Sequence, residues 1–373
     1  MNRSLRIASI CIALFIAALS NSLATEDASI DRLLKKLPPP EKLVKPQVDR
    51  AVQQKDMALS DPLGKELLAA IRAGNLSGAL AVSRRLVEKN PKSPIAHFLH
   101  GLLAFDSRQF GEASGAFRSA TALEPRFAIA HLGFGATEMV QKHFGAAVPH
   151  LEQAERLEPS WGVGWVLASE CKAELGAKQE SLAYAKRATA AEPSWVYTWI
   201  QLARAEKALG HSNETLAAMS RAAEVSPDSA VLLATVGYSY INLNRIPQAI
   251  PPLQRAARMA PKDYLVQSQL GYCLLATDQT DAAIAQLRKG ASLNSNYGPV
   301  WEHLGLAYQK KGNHRESVKA FEKATQIMPN VFLPWQHLAQ EYRLLGRAAD
   351  ADRAAARAQK LSATAPKSGK KKA

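Results

Sequence analysis

The feature that most restricts what this chain can become is a repeat of 34 residues. Prolines stand at Pro91, Pro125, Pro159, Pro193, Pro227, Pro261 and Pro329, all on one ruler whose remaining marks are Ser295 and Ala363. A period of this length means that each unit is one supersecondary element; alone it leaves an apolar face bare, so the units must stack. Setting each mark as position 32 divides residues 60–365 into nine units, which begin at 60, 94, 128, 162, 196, 230, 264, 298 and 332 without an insertion.

The columns then show what each position needs. Position 8 is small in units two to nine: Gly101, Gly135, Ser169, Ala203, Gly237, Gly271, Gly305 and Ala339. Position 20, from Ala79 to Ala351, and position 27, from Ala120 to Ala358, are also small throughout, as close helix approach demands. Position 4 carries a ring in six units: His97, His131, Trp165, Trp199, Trp301 and Trp335. Positions 4, 7, 8 and 11 follow the spacing of one helix face, and positions 20, 24 and 27 that of a second, so each unit is predicted to be a helical hairpin. Gly74, Gly176, Gly210, Gly312, Gly346 and Asn244 share position 15, where a residue tolerant of positive φ ends the first helix. The prolines end the second.

Unit eight reads Trp301-x2-Leu304-Gly305-x2-Tyr308, followed by Phe321, Ala324 and Pro329. This pattern resembles the tetratricopeptide repeat (TPR) family, and the resemblance covers about four-fifths of the chain. It implies an all-α, right-handed α-solenoid of about nine TPR helical hairpins. In that family positions 2, 5, 9 and 12 of each first helix line a concave ligand groove. Here they hold Ile95, Phe98, Leu102, Phe105, Ile129, Leu132, Ala136 and Met139 in units two and three. Glu170, Arg204 and Lys207 follow, then Tyr238, Ile241 and Tyr272, and finally Glu302, Gln309, Gln340 and Arg343. Such a groove runs from oily to polar, and its apolar part suits an amphipathic helix or extended peptide. The lysine-and-asparagine clamp that some relatives use for C-terminal carboxylates does not occur at these positions. Two readings of the oily part stand: it takes a partner, or residues 25–59 fold back over it.

Departures from the family pattern include Ser317 in place of alanine, and Glu138, Lys172 and Glu206 at position 11 where tyrosine is preferred. Those three heads either meet as an alternating ladder inside the stack or snorkel to water. Phe127, Trp161, Trp195 and Tyr297 share position 34, as a ligand-facing row or as staples at the hairpin joint. The last helix, rich in alanine and charge from Arg347 to Ala358, is the expected solvent-facing cap.

Outside the array, residues 1–24 read as a secretory signal: Arg3 and Arg6, an apolar run from Ile7 to Leu19, and Ser22-Leu23-Ala24 at the cleavage positions. Residues 25–59 form an extension with a leucine-bearing stretch Ile30–Leu37, a break at Pro38-Pro39-Pro40, and an expected helix Gln47–Leu59. Residues 366–373 are a basic tail expected to be disordered. The protein is therefore expected to be exported, periplasmic or secreted, with peripheral envelope association as a corollary. Cys171 and Cys273 remain in the mature chain at the same repeat position, three units apart, and read as core residues rather than a disulfide.

After nine units and the signal, too little chain remains for a catalytic domain, and no catalytic, nucleotide-binding or metalloprotease motif is present. His97 and His100, at i and i+3, with His131 one unit further on, outline a metal site, but His97 and His131 hold the ring position that tryptophan takes elsewhere, and His303 and His337, at position 6, read as a solvated face. No cofactor, no metal and no nucleic acid are expected. The function that follows is a non-catalytic scaffold or adaptor binding a protein or peptide; nothing in the pattern sets an oligomeric state. The alternative is an anionic-surface binder: net charge is +14, and the tail lysines Lys367, Lys370, Lys371 and Lys372 carry part of it.

Overall fold

A computed structural model of the chain describes residues 62–364. The expected signal, the expected helix Gln47–Leu59 and the rest of the N-terminal extension, and the basic tail lie outside the described residues. Eighteen helices and no strand occur among the described residues, paired as nine consecutive hairpins. They are α1 Pro62–Arg72 with α2 Leu76–Lys89, α3 Pro94–Asp106 with α4 Phe110–Leu123, and α5 Ala128–Val140 with α6 Phe144–Leu157. Next come α7 Val163–Glu174 with α8 Lys178–Ala191, and α9 Val196–Ala208 with α10 Ser212–Val225. The series ends with α11 Ala230–Asn242 and α12 Ile246–Met259, α13 Tyr264–Ala276 and α14 Thr280–Leu293, α15 Gly298–Lys310 and α16 His314–Ile327, and α17 Phe332–Leu344 and α18 Ala348–Thr364. The fold is an all-α solenoid of TPR-type hairpins. The described residues divide into two compact units, the first ending at Val225 and the second beginning at Ser226. No helix among the described residues is long and apolar enough to cross a membrane.

Local chemistry explains why the hairpins keep their phase. Ser93 caps α3 by accepting from the Ala96 amide at 3.0 Å, with Pro94 in the first turn where its missing N–H costs nothing. Every first helix ends on a left-handed residue at position 15. Beyond the six predicted, Arg108, Lys142 and Asp278 adopt it too, with φ of 58, 64 and 65°. The repeat geometry thus imposes this conformation on side chains that disfavour it.

Packing within a hairpin follows the small-residue columns. A Cβ at Gly101 would lie 2.9 Å from the Phe117 ring, and one at Gly305 would lie 2.6 Å from the Phe321 ring. Position 8 is small because position 24 of the same hairpin fills its space. Cys171 and Cys273 are free and buried, their thiols pushed up to about 12 by burial. In the final helix α18 only Ala351, Ala354 and Ala358 are buried, the pattern of an end cap.

One hairpin is out of step. Its first helix begins at Val163 instead of residue 162, because Gly162 takes φ +70° as the N-cap. Glu155 of α6 reaches this joint and accepts from the amides of Gly162 at 3.2 Å and Gly164 at 2.6 Å.

Candidate functional site

The position-4 rings share one hydrogen bond. Trp199, Trp301 and Trp335 each donate Nε1–H to the carbonyl of the residue at position 32 of the preceding hairpin, at 2.8, 2.9 and 3.1 Å. His97 and His131 make the same bond through Nε2, at 3.0 Å to Pro91 and 3.1 Å to Pro125. A carbonyl only accepts, so that nitrogen carries the proton, and the imidazole stands in for indole. Among the described residues no group of three or more metal-ligating side chains exists.

A Ser–His–Glu series does occur where α2, α3 and α4 meet. Ser83 Oγ lies 2.9 Å from His100 Nδ1, and His100 Nε2 lies 3.1 Å from Glu112, which also takes the Arg84 guanidinium at 2.7 Å. Ser83 is wholly buried, so no substrate meets its hydroxyl, and the bonds serve to join three helices.

The position-11 charges do not form a ladder. Glu138 accepts from Ser114 Oγ at 2.5 Å and pairs with His143 at 3.0 Å. Lys172 turns to Glu180 at 2.6 Å, and Glu206 pairs with His211 at 2.7 Å and faces Lys186 at 3.8 Å. Each head finds a partner near its own hairpin turn, which a ladder through the stack would forfeit. The recurring Glu-x4-His spacing at positions 11 and 16 was the available signal.

Two further expectations change. His303 and His337 are half-buried instead of solvated: His303 packs on Tyr272 with centroids 4.9 Å apart, and burial lowers its pKa to about 4. His337 stacks on Phe321 at 5.4 Å. Phe127, Trp161 and Trp195 are all buried at the hairpin joints, as staples would be, while Tyr297 is half-buried.

At the groove positions the two units differ. In the first, Ile95, Phe98, Leu102, Phe105, Ile129, Leu132 and Met139 are all buried, none more than 7% exposed. Phe98 meets Phe117 and Phe127 at 6.0 and 5.1 Å, and Phe105 meets Phe110 at 5.3 Å. Replacing Phe98 by a charged residue would therefore open the stack as well as alter the groove. Glu170 and Arg204 are half-buried near Tyr197, whose ring lies 5.9 Å from the Arg204 guanidinium carbon, and Lys207 is exposed. Burial raises the Glu170 carboxyl above its usual range against the opposing pull of Arg204. Tyr197 at position 2 escaped the sequence reading; its phenol is pushed up to about 12 by burial and by Glu170.

In the second unit most of the same positions stay within reach of solvent, with Ala234 and Ser268 buried. Tyr238, Ile241, Tyr272, Leu275 and Gln309 are half-buried, and Val231, Leu333, Gln340 and Arg343 are exposed. Burial raises the Tyr238 phenol strongly, with Asp263, Tyr297 and Tyr264 adding to it. Tyr264 meets Tyr297 edge to face at 5.3 Å. Gln309 donates to Glu341 at 2.8 Å, and Glu341 also takes His314 at 3.0 Å, so the polar end of this strip is held in place from beneath.

Models described as tetratricopeptide repeat match residues 298–331, and residues 98–160 and 236–296. The chain thus carries TPR repeats in both units. Among solved structures it is similar to the crystal structure of MamA, at 22% identity and a TM-score of 0.42, covering 43% of this chain and 95% of that one. Similar too are MamA 41-end from Desulfovibrio magneticus RS-1, at 18% identity and TM-score 0.43, covering 46% and 96%. YrrB, described as a TPR protein with an unusual peptide-binding site, aligns at 18% identity and TM-score 0.45 over 49% of this chain and 95% of that chain. No curated protein sequence matches.

Proposed function

We propose that the protein is a non-catalytic interaction scaffold that acts outside the cytoplasm and holds a peptide or helix of a partner protein along the first-helix face of its second unit. The observation that carries this reading is the pair Tyr238 and Tyr272, at the same register in consecutive hairpins and within reach of solvent. Each is followed one turn on by an apolar neighbour, Ile241 and Leu275. Aromatic side chains offer large contact area at little entropic cost, which is why they anchor interfaces. Gln309, Gln340 and Arg343 continue the strip with groups able to bond a peptide backbone. TPR repeats in both units support the scaffold reading, and residues 1–24 support export.

The test is affinity purification of the mature chain from envelope extract, comparing wild type with Tyr238→Ala/Tyr272→Ala. The double variant should lose its specific partner while keeping the helical circular dichroism and melting curve of the wild type. Undiminished capture by the folded variant would remove this face from consideration. For location, deletion of residues 1–24 should retain the protein in the cytoplasm, whereas unchanged export would reject the signal.

A further inference from the structure

We infer that in the resting protein residues 30–37 occupy the groove face of the first unit as an internal ligand. The requirement comes from the helices. In α3 ten of thirteen residues are buried and in α5 twelve of thirteen, against five of thirteen in α11 and in α17. A helix apolar on every side is stable in water only when every side is covered. The described helices packed against α3 are α2, α4 and α5, and those against α5 are α3, α4, α6 and α7. They account for the hairpin and neighbour sides. Phe98 and Phe105 turn partly onto Phe117, Phe127 and Phe110, and the rest of the strip at positions 2, 5, 9 and 12 still needs a cover.

The leading candidate is legible in the sequence. Ile30, Leu33, Leu34 and Leu37 fall at i, i+3, i+4 and i+7, one apolar stripe, while Asp31, Arg32, Lys35 and Lys36 take the remaining arc, three basic residues against one acidic. Residues 47–59 offer a thinner stripe of Val48, Val52 and Leu59, and residues 7–19 are expected to leave with the signal. The 24 residues between Leu37 and Pro62 extend to at most about 80 Å, while packed helices are about 8–10 Å apart, so the stripe reaches hairpins two to five. Charge matches as well. Asp106 and Glu170 each leave one buried carboxyl oxygen without a hydrogen-bond partner, and a basic helix supplies donors for them. The surface is therefore built for an amphipathic helix with a basic flank, and the chain carries one on a tether of sufficient length.

The experiment uses the chain from Thr25 onward, as wild type and as Leu33→Asp/Leu34→Asp, with an apolar-surface dye and a synthetic peptide of residues 28–39 as probes. The variant should raise dye emission several-fold and bind the added peptide, while the wild type does neither. Equal peptide binding by both proteins would show the site vacant at rest and overturn the inference. So would a folded variant that gains neither signal. If the double variant melts early, the added peptide should restore its melting temperature, and failure to do so counts against the assignment. A wild type that sediments as a concentration-dependent dimer, lost in the variant, would assign the stripe to a neighbouring copy and overturn internal docking. Tyr238→Ala/Tyr272→Ala should be silent in this assay, so the second-unit reading stands or falls separately.

Discussion

The first-helix faces of hairpins two and three and of the last hairpin share a register and a hairpin geometry, yet the former are interior and the latter is surface. Phe98 and Leu102 lie in a continuous apolar cluster with Phe117, Phe127 and Trp161, whereas Gln336 and Gln340 at the same positions of the last hairpin are exposed. The backbone repeat therefore fixes where a side chain points but not whether water reaches it. That is decided by what the groove positions contain, because an apolar strip left bare costs about 25 cal/mol per Å² and draws a cover, while a polar strip does not.

The sharpest way to break this comparison is to truncate one residue on each face. Phe98→Ala should cost about 3–5 kcal/mol of stability, since the ring is buried between two others and its removal leaves a cavity. Leu333→Ala, on a side chain that is 50% exposed, should stay within about 0.5 kcal/mol. Denaturant titration reads both. Equal effects at the two sites would mean that the faces are energetically alike and that their difference in burial carries no weight.

A second contrast lies in pH. Burial raises the Glu155 carboxyl to about 7 from 4.5, despite the amides of Gly162 and Gly164 that favour its charged form. Between those values the folded carboxyl keeps a proton that the unfolded chain has released. Stability of the first unit should therefore fall as pH rises through this window, by up to about 3 kcal/mol. The second unit has Ala257, Ala291 and Thr325 at that repeat position and lacks this carboxyl, so its dependence in the window comes from Glu302, which burial also raises. Glu155→Gln should flatten the dependence in urea melts at pH 5 and pH 8, and a slope unchanged by the substitution would exclude Glu155 as its source.

The period made most of the hairpin boundaries legible. Apart from the first hairpin and the one at Gly162, first helices start at position 1, as at Pro94, Tyr264 and Phe332. Every second helix starts at position 17, from Leu76 to Ala348. What escaped the columns was whatever a single unit does alone. The Gly162 offset depends on Glu155, which no other unit carries at that position in contact with a joint. The covered state of Ile95 to Met139 was open in the pattern, because periodicity reports which face a residue shares and not what lies against it. Side-chain partners such as Ser114 with Glu138 depend on rotamers, which a column of residue types does not show.

The position-4 ring probes an interaction that both units share. Trp335→Phe and His97→Phe each keep a ring and lose one N–H donor to a carbonyl, so each should cost about 1 kcal/mol. His97→Trp should be tolerated, because indole offers the same donor in the place where other units use it. A larger loss for His97→Phe than for Trp335→Phe would reveal a role for the imidazole beyond the bond to Pro91.

The smallest expected effect is at position 15. Lys142 in the first unit and Asp278 in the second hold φ near 65° without the freedom of glycine, while Gly176 and Gly312 hold the same conformation at no steric cost. Lys142→Gly should stabilise by roughly 0.5–1 kcal/mol, the relief of a left-handed side chain less the entropy that glycine adds to the unfolded chain. Asp278→Gly should gain less, since aspartate tolerates this region better than lysine and its carboxylate pairs with Lys310, which the substitution removes. A loss of stability at Lys142 would mean that its side chain, and not the turn geometry, holds that hairpin in phase.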